Sequence, residues 1–199
     1  QLDNEFLNIL RENNIVIDKD VFNISEFDYY KDTYKYDKPY VIKKNKSYEE
    51  VIKSNPTCFI FKSCFRFLNI SNSGSDRGKK LDVMEHLFKN QNKLETIIFD
   101  LSRNDKYDGD EDWSADQISF LVKFIYELRL NHKDTQIFIY HPEIKKLLDD
   151  KDSSDNFKIH LIYLYNSIKI NNLKEKLTIL GASDKELDLL TDKFINENV

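Results

Sequence analysis

The chain predicts an α/β fold: an open, mostly parallel sheet of about 4–5 strands with helices on both faces, three-layered and Rossmann-like or flavodoxin-like. Three observations carry this. Short apolar runs (IIF, IFIY, TIL) alternate with segments of helical period. Those runs lack polar alternation, as expected of strands buried on both sides. Glycine (4) and proline (3) are scarce, while 40% of residues are hydrophobic and 33% charged. That composition suits a globular chain with a polar skin. At 199 residues it can bury a core without disulfides or metals as staples.

Residues 2–13 place Leu2, Phe6 and Leu10 near helical spacing and predict a short amphipathic helix. The next stretch, VFNISEFDYYKDTYKYDKPY, is rich in aromatics without a clean period. It is expected to be irregular and to cover one sheet edge. Tyr40–Lys43 suits a short strand, and Ser47–Ser54 a helical turn with Ser47 and Glu50 as a capping box. Residues 1–45 are therefore taken as an N-terminal helix and an irregular aromatic-rich segment packed on the domain. Residues 46–199 are taken as the α/β domain. TCFIFKSCFRFL (57–68) is a strand signal, with Phe59, Phe61, Phe65 and Phe67 on one parity. Helix 79–90 follows, with Leu81, Met84, Leu87 and Phe88 as its stripe.

Strand 95–101, helix 114–130 and strand 135–140 form the clearest unit. The helix carries Ile118, Leu121, Val122, Ile125 and Leu128 on one face. Pro142 opens a short helix. IHLIYLY alternates as a strand would, but Phe157, Leu161, Leu164 and Ile168 keep helical spacing, and helix is favoured for 153–170. KLTIL (176–180) is the last strand. Ser183, with Glu186 three residues on, forms a capping box for the final helix.

The net charge of −5 gives no basic excess for neutralising phosphates, which disfavours nucleic acid and anionic membranes as partners. Lys43, Lys44 and Lys46 read as a solvated run. No stretch is apolar for the length of a membrane span. Cys58 and Cys64, on one strand, would stand about 20 Å apart, too far for a disulfide. Two buried thiols suggest a reducing, cytoplasmic setting.

Three groups of residues are candidates for a site. Asp100 ends a strand and opens an acidic loop with Asp105 and Asp108. Carboxylates at that edge can hold Mg²⁺ through oxygen ligands, as phosphoryl-transfer sites do. Ser102 and Arg103, beside Asp100, are candidate ligand contacts. The loop is no EF-hand, since placing Gly109 at the glycine position puts Lys106 where a ligand must stand. The second candidate is SNSGSDRGKK (71–80), a polar loop running into a helix, where Gly74, Arg77 and Lys79 would meet an anion. Its spacing fits neither the Walker nor the dinucleotide pattern. The third is His141, at the carboxyl end of the strand after Asp100's. Asp100 and His141 are the two catalytic candidates.

The piece IIFDLS resembles the opening motif of the haloacid dehalogenases. That family needs a second Asp two residues after the first, and Ser102 stands there, so the family's acid–base residue is missing. The unit opening at Leu94 is also similar in element order to small sensory α/β domains of the anti-anti-sigma type. It lacks their phosphorylatable-serine loop, with Trp113-Ser114 near that place.

No catalytic constellation is complete. The expected function is a non-catalytic sensory or interaction module binding a small-molecule ligand or a protein partner, as part of a larger polypeptide or complex. The alternatives are a Mg²⁺-dependent enzyme acting on phosphate esters or nucleotides, and an assembly protein using the aromatic N-terminal segment.

Overall fold

A computed structural model describes residues 4–15, 21–25, 58–62, 93–101, 115–149 and 155–198. The elements are α1 (Asn4–Glu12), β1 (Val21–Ser25), β2 (Cys58–Lys62), β3 (Thr96–Asp100), α2 (Ala115–Asn131), β4 (Gln136–Tyr140), α3 (Pro142–Leu148), α4 (Asp155–Ile170), β5 (Leu177–Ile179) and α5 (Asp184–Asn198). The five strands form one parallel sheet in the order β1-β2-β3-β4-β5. The α/β class is as the sequence predicts.

The two parities of each strand feed two separate cores. Phe59, Ile97, Phe99, Ile137, Ile139, Leu177 and Ile179 face one side, where they pack with the buried stripes of α2 and α4 and with Ile144 and Leu187. The stripe predicted for α2 is buried throughout, and Phe124 joins it with its ring edge-on to Phe99 at 5.6 Å. Cys58, Ile60, Ile98, Phe138, Tyr140 and Leu180 face the other side, where Ile9 and Leu10 of α1 meet them. Among the described residues, helices therefore lie on both faces, unequally: α1 on one, and α2, α3, α4 and α5 on the other.

Strand order follows sequence order and never reverses among the described strands. Rossmann and flavodoxin orders both reverse, and the described strands contain no such reversal. Residues 155–170 are helical, as favoured. Residues 21–25 are not irregular. They form β1, paired in parallel with β2 from Val21↔Cys58 to Ser25↔Lys62. Five residues without regular alternation give little period-2 signal, and the pairing with β2 is what makes them a strand. The proposed strand 40–43, the turn 47–54 and the helix 79–90 lie outside the described residues.

The amino-terminal rim of the sheet is fastened by two side chains. Thr135 Oγ1, buried, donates to the Leu94 carbonyl at 2.7 Å, tying the entry of β4 to that of β3. Arg129, in the last turn of α2, donates to the carbonyls of His132, Lys133 and Thr135 before β4. Its other guanidinium nitrogen reaches those of Glu175 (2.9 Å) and Lys176 (3.1 Å) before β5. Lys176 sits at φ 55°, in the left-handed region, and its carbonyl is also the acceptor for Ile137 N–H. At the exit of β5, Gly181 has φ +85°, and a Cβ there would meet Ile144 Cγ2 only at an ordinary contact distance of 3.8 Å, so its backbone angle and not crowding calls for glycine. The capping box at α5 is formed in both directions: Ser183 N donates to Glu186 Oε1 and Glu186 N to Ser183 Oγ, each at 3.1 Å.

Arg129→Ala is expected to lower unfolding stability by about 2–3 kcal/mol, since charge-assisted bonds to partly buried carbonyls are lost. Arg129→Lys should recover only part, because an ammonium cannot fork between two loops. Urea unfolding of the two variants against the parent chain measures both effects.

Candidate functional site

β3 lies at the middle of the sheet, and its last residue, Asp100, is completely buried. In register it stands between Lys62 of β2 and Tyr140 of β4. It shares parity with Ile98, so it belongs to the α1 side of the sheet, as does Tyr140.

His141 follows Tyr140 and turns the other way. It is the N-cap of α3: its Nδ1 accepts a hydrogen bond from Glu143 N–H at 3.1 Å. The ring lies against Phe157 of α4, with centroids 4.7 Å apart. Burial, with the Lys146 ammonium adding to it, pushes the imidazole down from its ordinary value near 6.5 to about 3. At neutral pH it is uncharged, and because Nδ1 accepts, Nε2 holds the proton. The residue is a helix cap with a stacked ring. Asp100 and His141 therefore lie on opposite faces of the sheet and do not form one catalytic pair. Both stand at strand ends, but the one extra residue before His141 reverses its parity.

Ser102, Arg103, Asp105 and Asp108, and likewise Gly74, Arg77 and Lys79, lie outside the described residues. Among the described residues no group of His, Cys, Asp and Glu is arranged to hold a metal ion. None of the described helices is long and apolar enough to cross a membrane.

A second perturbed group is also structural. The Tyr165 hydroxyl is driven above its ordinary value by burial and by its bond to Asp188. It donates to Asp188 Oδ1 at 2.8 Å, and Lys169 Nζ donates to the same oxygen at 3.1 Å while lying over the Tyr165 ring. This cluster clips α5 to α4.

The sequence reading overlooked the outer surface of the helical layer. A groove of about 370 Å³ runs between α2 and α4, lined by Ser119, Val122, Lys123, Tyr126, Tyr163 and Ser167, with Asn171 at its end. The small side chains Ser119 and Ser167 leave room in the seam. Ser119 Oγ and Tyr163 Oη stand 3.1 Å apart across it, joined by a hydrogen bond. Tyr126 and Tyr163 stay 49% and 41% exposed, and Leu130, Ile159 and Ile170 continue the apolar surface. Five of the seven exposed large hydrophobic side chains among the described residues lie along these two helices. Both helices already bury a full stripe toward the sheet, so this second stripe does nothing for the core. The signal was in the sequence: IHLIYLYNSIKI is apolar on more sides than one helix face needs.

The His141 assignment has a pH consequence. The folded-state value lies below the unfolded one, so the folded chain binds fewer protons between about pH 3 and 6.5. The stability that neutral His141 contributes is complete above pH 6.5 and is lost as pH falls toward 3. His141→Asn keeps a capping acceptor and removes the titration. Its melting temperature should fall less than the parent's from pH 6.5 to about 4. Parallel profiles would sink the assignment.

Compared with protein-family models, with curated proteins and with solved structures, the chain has no match in any of the three.

Proposed function

We propose that the chain is a non-catalytic α/β interaction module that binds a protein partner through the outer face of its helical layer. One observation carries this: the exposed apolar surface along the α2–α4 seam, with tyrosines on both walls and small residues between them. The groove is open, not enclosed. That suits an amphipathic helix laid along it better than a small molecule, which needs engulfing walls. Tyrosines supply large contact area at low entropic cost, and their hydroxyls suit a rim that stays wet. Lys123 is the one charged side chain lining the groove, so the fitting partner helix is acidic beside its apolar stripe. The buried thiol of Cys58 supports a reducing, cytoplasmic setting for this partnership.

Two synthetic amphipathic helices test the reading, sharing one Leu/Ile stripe but flanked by Glu in one and by Lys in the other. The acidic peptide should shift the amide NMR signals of Ser119, Lys123, Tyr163 and Ser167, and Tyr163→Ala should weaken it about tenfold, as truncating an aromatic anchor does. Failure of both peptides to perturb these signals overturns the proposal.

The second reading is a Mg²⁺-dependent enzyme acting on phosphate esters or nucleotides. It keeps one observation in its favour: a carboxylate, Asp100, completely buried at the carboxyl end of the middle strand, an expensive place for a charge. Mg²⁺ or Mn²⁺ should then raise the melting temperature, and Asp100→Asn should abolish the rise. A chain indifferent to both ions removes this reading.

A further inference from the structure

We infer that the partner of the α2–α4 groove is α5 of a second copy of this chain, the two copies packing helical layer against helical layer about a two-fold axis. This rests on the docking reading above and names its occupant.

Among the described residues, the two exposed large hydrophobics outside the α2–α4 seam are Leu189 and Ile195, and both lie on α5. α5 buries Leu187 toward the sheet and packs beside α4 through the Tyr165–Asp188–Lys169 cluster. Its exposed apolar pair therefore sits on the same outer surface as the groove, one helix away. Asp192 lies between Leu189 and Ile195 in helical spacing.

Charge complements shape. α5 carries five carboxylates (Asp184, Glu186, Asp188, Asp192, Glu197) against two lysines (Lys185, Lys193), a net of −3. Four of the five are engaged within the copy: Asp184 by Lys174 at 2.8 Å, Asp188 by Lys169 at 3.1 Å, Glu197 by Lys158 at 3.9 Å, and Glu186 in the cap of its own helix. Asp192 is outside these pairs, and it is the carboxylate that stands with the exposed apolar residues. In the groove, Lys123 is likewise outside the ion pairs of the described residues. α5 is thus the amphipathic acidic helix that the groove fits, and Asp192 is the natural mate of Lys123.

The order of helices lets both contacts form at once. α2, α4 and α5 follow the sheet order β3, β4, β5 on one face. Turning a second layer over about a two-fold axis sets its α5 above the first copy's α2–α4 seam and the first copy's α5 above its own. Such an isologous interface closes at two copies and leaves no apolar face to propagate.

Light scattering coupled to size exclusion, on the whole chain across rising concentration, should show the mass moving from 23.8 kDa toward twice that value. Leu189→Glu should raise the dimer dissociation constant at least tenfold. Lys123→Glu and Asp192→Lys should each raise it several-fold, and the double variant should return it toward the parent value. All three positions are exposed, and circular dichroism should show each variant folded. A chain monomeric at every concentration overturns the inference, as does a dimer that ignores these substitutions or a double variant that fails to recover. If the chain stays monomeric while the acidic peptide still binds, the second copy is wrong and the docking surface stands. If the peptide fails as well, both fall.

Discussion

Everything else in this molecule follows from parallel strands laid down in sequence order. A crossover between parallel neighbours is right-handed almost without exception. When the next strand is always added on the same side, successive crossover helices must land on the same face. α2 and α4 do so, and α3 and α5 join them, while α1 is the described helix on the opposite face. Two properties come with that arrangement. The sheet has no point where strand order reverses, so the crevice that such a point opens between diverging loops is absent among the described strands. Among the described residues the helical layer is correspondingly broad, with α2, α4 and α5 side by side.

This geometry also explains why the most perturbed titratable groups are structural. A histidine with a depressed value and a tyrosine with a raised one would ordinarily mark a reacting centre. Here each is perturbed because a helix end or a helix pair is sealed against the sheet. His141 accepts at Nδ1 from the first turn of α3, and the Tyr165 hydroxyl donates a hydrogen bond to Asp188. Arg129 belongs with them. Its lowered value reflects burial against five carbonyls, and the cation is spent on holding the entries of β4 and β5 together. Perturbation marks a site only where several such groups converge, and these three sit at different ends of the molecule.

The elements with a strong period were legible from sequence. α2 shows its stripe, β3 and β4 show unbroken apolar runs, and Ser183 with Glu186 announces α5 through a capping box found as expected. Three things were not legible. β1 is five residues long and owes its existence to pairing with β2, a non-local term that a local window does not contain. Strand order is likewise a property of the whole sheet. His141 was read for its chemistry alone, although the Pro142 that follows it is a helix-start signal and makes the preceding residue a cap. Asp100 and His141 were placed by nearness to strand ends, which does not decide the face of the sheet.

The ambiguity over residues 153–170 has the same physical origin as the exposed apolar surface of the α2–α4 seam. A helix that feeds one core needs one apolar stripe, and Phe157, Leu161, Leu164, Tyr165 and Ile168 supply it. Ile159, Tyr163 and Ile170 are surplus to that need, and their presence between the core positions is what made the segment alternate like a strand. On a helix already packed against a sheet, surplus apolar side chains can only face outward, where each costs solubility. Their alignment with Tyr126 and Leu130 across a seam floored by serines gives that cost a compensating contact. The described surface is thus apolar for no reason internal to the fold, and the acidic helix α5 lies beside it.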